Sequence, residues 1–151
     1  MKRQLIQESD ETLIYLETDK QQKCIRKILR SDSPDPDLIL RFNNEYDTTK
    51  NIDIPGIRKA ISLTKEDNRL MLTLEYIEGV TVNEAFIGKN KPLLEVLNLF
   101  IQVAETLGKL HVKGIIHKDI NGHNIIWNEK ENYASIIDLG ICTRIDMVSN
   151  N

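Results

Sequence analysis

The sequence predicts an α+β fold: a five-stranded antiparallel sheet with one helix against it, followed by a mainly helical region. Three observations lead there. Up to residue 78, short strand-like apolar runs alternate with polar turns, and a single helix-period segment interrupts them. From Glu78 and Gly79 onward the apolar spacing becomes helical. The chain therefore divides into residues 1–78 and 79–151.

Residues 4–7, 12–17 and 22–29 read as three strands separated by the turns ESDE and TDKQ, an antiparallel meander. SDSPDPD then breaks the sheet, because Pro34 and Pro36 cannot donate ladder bonds, and it offers Ser33 or Asp35 as a helix N-cap. In the helix that follows, Leu38, Phe42 and Tyr46 recur every fourth residue and mark its apolar face. Pro55 and Gly56 end that segment, and residues 57–64 and 69–77 supply two more strands around the turn KEDN. Beyond Gly79 a short helix is expected near 82–87 and a long one over 92–112. In the long one Leu93, Leu97, Phe100, Ile101, Ala104, Leu107 and Leu110 trace a face broad enough to predict a mostly buried helix. Two short strands follow Gly114.

Composition narrows the function. With 40% hydrophobic and 28% charged residues, 151 residues can build an ordinary core. A net charge of −3 gives no electrostatic reason to expect nucleic acid or an anionic membrane as partner. No apolar run approaches the ~20 residues of a spanning helix, and MKRQLIQESDE is too short in apolar residues for a secretory signal, so a cytoplasmic protein is expected. Cys24 and Cys142 lack metal-ligand spacing and read as buried, unbridged thiols.

Chemistry concentrates in residues 115–140, IIHKDINGHNIIWNEKENYASIIDLG. His117, Asp119 and Asn124 share one polar loop, and Asp138 stands ahead of Leu139 and Gly140, each cluster entered by an apolar strand-like run. Asn124 and Asp138 are 14 residues apart, room for a two-stranded excursion and a return. His111 and His123 read as helix-end and loop residues, and Trp127 as core.

This layout, with H-x-D-x-x-x-x-N followed by D-x-G, resembles the protein kinase fold: HKDINGHN is similar to the kinase catalytic loop and DLG to its metal-binding triplet. The resemblance implies ATP and Mg2+ as cofactors and a Ser or Thr hydroxyl of a protein as acceptor. It makes Asp119 the catalytic base, Asn124 and Asp138 the metal ligands, and His117 a structural link from the loop to Leu139. CIRKIL looks like the strand carrying the phosphate-binding lysine, here Lys27, with Ile25 on the same face and Arg26 as the competing register. Glu45, 18 residues later with only Asp47 as rival, looks like its helix partner. LTLEYIEG resembles the fifth strand and hinge, with Leu74 as gatekeeper and the backbone of Glu75, Tyr76 and Ile77 along the adenine edge. NNEYDTTKNIDIPGIRKAISL and HKDINGHNIIWN are most similar to the kinase domains that open large bacterial signalling proteins with ATPase and sensor histidine kinase modules, which implies further domains of a longer protein.

Two departures stand against that pattern. Where kinases fold a glycine-rich loop over the phosphates, this chain has QESDET, with Glu8, Asp10 and Glu11 and no glycine before Gly56. Only 11 residues follow Gly140, so the expectation is a kinase domain truncated after the D-x-G motif, without the activation segment and the helices that brace the catalytic loop. Two functions remain in view: a Ser/Thr kinase domain or fragment, and a pseudokinase-like binding module. A small-molecule phosphotransferase of the aminoglycoside kinase type ranks below both, because that group carries a second acidic residue where Gly140 stands.

Overall fold

Two tight turns build the first sheet. Lys20 and Gln21 take φ of 44° and 78°, and Asp67 and Asn68 take 48° and 62°, the backbone of two-residue hairpins whose twist matches that of the strands they join. The computed structural model describes residues 2–145. Those residues form two compact units: the chain up to Ile52 with Arg58–Tyr76, and Asp53–Ile57 with the chain from Ile77 onward.

In the first unit, β1 (Lys2–Glu8), β2 (Thr12–Asp19), β3 (Gln22–Leu29), β4 (Ala60–Glu66) and β5 (Arg69–Glu75) form an antiparallel sheet in the order β1-β2-β3-β5-β4. One helix, α1 (Pro36–Thr49), packs on it. Pro36 sits where a helix needs no N–H, and the Asp35 side chain accepts the Asp37 N–H at 2.8 Å, so Asp35 is the cap. The expected face carries the packing: Phe42 is buried with Ile25, Leu29, Ala60, Leu72 and Leu74, flanked by Leu38 and Tyr46. The fourth strand begins at Ala60 rather than residue 57, because Ile57 forms a parallel bridge to Ile136 within the second unit instead.

The opposite sheet face is held by charge. Glu17 is 3% exposed; it is met by Arg26 Nε and, at 3.2 Å, by Arg3, which also grips Glu66 at 2.9 and 3.0 Å. Burial pushes the Glu17 carboxyl up, but the hydrogen bonds from Arg26 and Arg3 outweigh it and hold the group below the ordinary glutamate range. The Arg3 hydrogen bond lowers Glu66 in the same way. Cys24, expected to be buried, is half-buried beside Glu17, because its position in β3 turns it to this face; Cys142 is buried, and both are unbridged.

In the second unit, β6 (Val80–Thr81), β8 (Ile125–Asn128) and β9 (Tyr133–Ile136) form a small antiparallel sheet in the order β6-β8-β9. The short helix α2 (Val82–Phe86) has a reciprocal cap between Thr81 and Glu84. Helix α3 (Leu93–Val112) leads into β7 (Ile115–Ile116), which pairs with β10 (Thr143–Arg144). Trp127 is 1% exposed, edge-on to Phe86 with ring centroids 5.6 Å apart, a core residue as expected.

The burial of α3 departs from expectation. Leu99, Val103, Thr106 and Leu110 are its buried residues, a narrow stripe facing β7 and β9. Leu93, Leu97, Phe100 and Ile101 are 72%, 49%, 65% and 57% exposed, so of the seven predicted core positions Leu110 alone is fully buried among the described residues. Periodicity measures how wide an apolar stripe is; the neighbours decide how much of it is covered.

Two outcomes follow. Gly79 has φ 135°, and a Cβ there would lie 2.4 Å from the Trp127 carbonyl oxygen, whereas Gly88 (φ 68°) has nothing within 4 Å. Gly79→Ala should cost about 3 kcal/mol or more in urea unfolding and Gly88→Ala about 1. Glu17 and Glu66 have depressed pKa values in the folded state, so their stabilisation is complete above the unfolded glutamate pKa of about 4.3 and is lost as pH falls through the lower folded values. Arg3→Ala should flatten that acid limb in thermal unfolding between about pH 5 and 2.

Candidate active site

The pleat of β3 separates two basic neighbours. Arg26 points to the outer face and bonds Glu17 and, at 2.7 Å, Thr73 Oγ1. Lys27 points inward with Ile25 and Leu29, on the opposite face of the strand from Arg26. Lys27 is 8% exposed, its Nζ donates to Glu45 Oε2 at 2.7 Å, and the ammonium lies 5.7 Å from the Phe42 ring centroid. Glu45 is 2% exposed on the buried side of α1, while Asp47 is exposed and paired with Lys50. Thr49 Oγ1 donates to the Glu45 carbonyl at 2.7 Å and accepts the Ala60 N–H at 3.1 Å, tying the helix to the start of β4. Ile25 and Leu74 face each other across β3 and β5, at 7% and 0% exposure. Glu75 closes β5 by a backbone and a side-chain hydrogen bond with Lys59, and Tyr76 and Ile77 continue outside the strand, half-buried.

Sequence reading overlooked Arg58. It is 9% exposed, and its Nη2 lies 3.5 Å from Glu45 Oε1. The available signal was a basic residue inside the otherwise apolar run IPGIRKAI.

In the second unit His117 organises the loop after β7. It is 1% exposed; its Nδ1 accepts the Asp119 N–H at 3.2 Å, so the ring proton sits on Nε2, which donates to the Ile137 carbonyl at 3.1 Å. The structural link expected to Leu139 therefore runs to Ile137, because the backbone carbonyl two residues earlier is the acceptor in reach. Asn124 Nδ2 donates to Asp119 Oδ2 and to the Asp119 carbonyl, both at 2.9 Å, and Asn121 Nδ2 takes Asp119 Oδ1 at 3.0 Å. With its nitrogen committed to Asp119, the Asn124 amide has Oδ1 as the oxygen that could meet a cation. Ile137 N–H bonds the Asn124 carbonyl at 2.9 Å, which brings the strand end before Asp138 alongside the loop. Asn121 was also missed, although its spacing of two from Asp119 is readable.

Backbone strain marks the same place. Apart from the turns of the first sheet and Asn132 (51°) in the turn between β8 and β9, the non-glycine residues with positive φ among those described are Lys118 (71°) and Asp138 (61°), each a conformation that costs about 1–2 kcal/mol. Lys118 Nζ donates to Thr143 Oγ1 at 2.9 Å, tying the loop to β10. His123, beside Asn124, bonds Asn83 of α2 at 2.7 Å, and a Cβ on Gly122 would collide with that asparagine.

The protein kinase domain profile matches residues 11–150. The chain belongs to the protein kinase family. It is similar to the serine/threonine-protein kinase PrkC of Bacillus subtilis, 35% identical over 122 residues, covering 79% of this chain and 18% of that protein. The probable serine/threonine-protein kinase CPE1738 of Clostridium perfringens is 29% identical over 122 residues, 80% of this chain and 18% of that protein. MAP3K epsilon protein kinase 1 of Arabidopsis thaliana is 34% identical over 110 residues, 71% and 8% respectively. The chain thus spans less than a fifth of the length of each of these three relatives.

One element of this kinase domain is built differently from the glycine-rich pattern. In the β1–β2 turn, Ser9 N–H bonds the Thr12 carbonyl at 2.9 Å, and Ser9 Oγ accepts the N–H groups of Glu11 and Thr12 at 3.3 and 3.0 Å. Arg30 Nη1 clasps the turn through Glu8 Oε1 and the Ser9 carbonyl, at 3.1 and 2.9 Å. Three backbone N–H groups, those of Ser9, Glu11 and Thr12, are spent inside the turn.

Removing the loop's organiser tests this account of its rigidity. His117→Ala leaves the half-buried Ile137 carbonyl without its donor and opens a cavity where the buried ring stood, so it should cost about 2–3 kcal/mol in urea unfolding. Asn121→Ala, at an exposed position, should cost less than about 1 kcal/mol.

Proposed function

We propose that this chain is the phosphoryl-transfer part of an ATP-dependent Ser/Thr protein kinase. The observation that carries the reading is the buried Lys27–Glu45 ion pair at 2.7 Å. Burying two charges costs several kcal/mol per ion before their attraction is counted, and apolar residues of similar size are often as stable in such a place. A pair kept for packing alone has no advantage there; a pair kept to hold phosphate does. In this reading residues 1–78 are the nucleotide-binding lobe and 79–151 part of the catalytic lobe. Lys27 holds the α and β phosphates, Glu45 fixes Lys27, and Ile25, Leu74 and the backbone of Glu75, Tyr76 and Ile77 contact the adenine.

Asn124 Oδ1 and the Asp138 carboxylate are hard oxygen donors of the kind Mg2+ takes, and these residues fit it. Held by these two residues, Mg2+ would supply positive charge to offset that of the transferring phosphoryl group. Asp119, held by Asn121 and Asn124, orients the Ser or Thr hydroxyl of a protein substrate and accepts its proton. No helix among the described residues is long and apolar enough to cross a membrane, and a cytoplasmic setting supplies the ATP. Further domains of a longer signalling protein complete the proposal, in keeping with the small share of the relatives that this chain spans.

The internally bonded β1–β2 turn favours the second reading, a pseudokinase-like binding module with weak or absent nucleotide binding. Thermal unfolding with millimolar Mg-ATP separates the two. The kinase reading expects a rise of a few degrees that Asp138→Ala abolishes. It also expects Asp119→Asn to keep the rise but lose about 10²-fold or more in phosphate transfer to a Ser/Thr peptide library. No rise in wild type leaves the binding module.

A further inference from the structure

Glu45 does not depend on Lys27 alone. Lys27 Nζ takes Oε2 at 2.7 Å and Arg58 Nη2 approaches Oε1 at 3.5 Å, so each oxygen of one buried carboxylate faces a different cation. The cations arrive from different elements, one from the middle of β3 and one from the segment entering β4. Among the described residues Arg58 Nε is buried without a hydrogen-bond partner, while Nη2 faces Glu45. Ala60, two residues on, is tied to α1 through Thr49 Oγ1, which steadies the backbone from which Arg58 reaches Glu45.

We propose that Arg58 is a positioning residue that keeps Glu45 paired and in place when Lys27 turns its ammonium to a phosphate. The inference rests on the reading of Lys27 as the phosphate-holding residue. A buried carboxylate with a single partner is stranded whenever that partner is drawn to another anion, and stranding a buried charge is strongly unfavourable. Every bond from Lys27 to a phosphate would then be offset by a loss at Glu45. The second cation removes that penalty, because Glu45 keeps one partner throughout. Arginine is well matched to this role, since it stays charged and its planar fork needs no other anchor to face a carboxylate.

A double-mutant cycle in thermal unfolding reads the shared carboxylate without any ligand. Lys27→Met and Arg58→Met should each lower the Tm by less than about 5 °C, because one cation remains; the double variant should lose about 5 °C or more beyond their sum. Glu45→Gln in the double background should restore most of that excess. Additive single effects overturn the proposal.

The second readout uses magnesium tripolyphosphate, which lacks the adenine. Wild type should gain a few degrees; Arg58→Met should lose at least about half of that gain and Arg58→Lys recover it, an effect that packing alone would not give. A response lost in Lys27→Met but intact in Arg58→Met overturns this inference and leaves the kinase reading standing. No response to tripolyphosphate or Mg-ATP in any variant overturns the kinase reading, and the role of Arg58 with it.

Discussion

Glu45 lies on the buried side of α1 at 2% exposure, and a carboxylate in that position is stable only where cations meet it. Much of the first unit follows from meeting that condition. Helix α1 has to take the register that brings Glu45 to Lys27, and β3 has to keep Lys27 on the inner face, between Ile25 and Leu29. Thr49, one turn on, spends its hydroxyl on the helix backbone and on the first residue of β4, so the segment that delivers Arg58 into β4 is fixed by the same helix. The surrounding Phe42, Leu72 and Leu74 raise the cost of separating the charges, because they keep water out. An ion pair that would contribute little on the surface becomes, in this setting, a condition on how helix and sheet pack.

The second unit solves a different problem, how to hold polar groups still in a loop. His117 is buried, and both ring nitrogens are used, one by the Asp119 N–H and one by the Ile137 carbonyl. Asn121 and Asn124 then divide the oxygens of Asp119 between them. The loop is thereby preorganised by side chains in place of a ladder, at the expense of positive φ at Lys118 and Asp138. Strain at the two ends of a hydrogen-bonded loop is the pattern expected where geometry serves chemistry rather than stability.

Two features show the same family framework put to different local use. The β1–β2 turn satisfies its own N–H groups through Ser9 and is clasped by Arg30, so it has the rigidity of an ordinary hairpin connection where a flexible glycine loop is the family pattern. Helix α3 buries a stripe of four residues and leaves Leu93, Leu97, Phe100 and Ile101 exposed among the described residues. An apolar face of that width stands exposed on a chain with 28% charged residues.

The sequence by itself determined the main elements and the family. The hairpin turns were legible because Lys20-Gln21 and Asp67-Asn68 sit between alternating runs, the start of α1 because SDSPDPD offers Ser33 or Asp35 ahead of Pro36, and the family because H-x-D-x-x-x-x-N and D-x-G stand in order. These signals are local: propensity, periodicity and spacing act over a few residues of chain. Tertiary structure alone decided what depends on distant neighbours: that Ile57 pairs with Ile136 and delays β4, that His117 reaches Ile137, that the apolar face of α3 is mostly exposed, and that Arg58 shares Glu45 with Lys27. Arg58 and Glu45 are 13 residues apart and Lys27 and Glu45 are 18 apart. No periodicity reports which of several charged residues will be buried together, because the energy that selects them arises only when the folded core excludes water from around the pair.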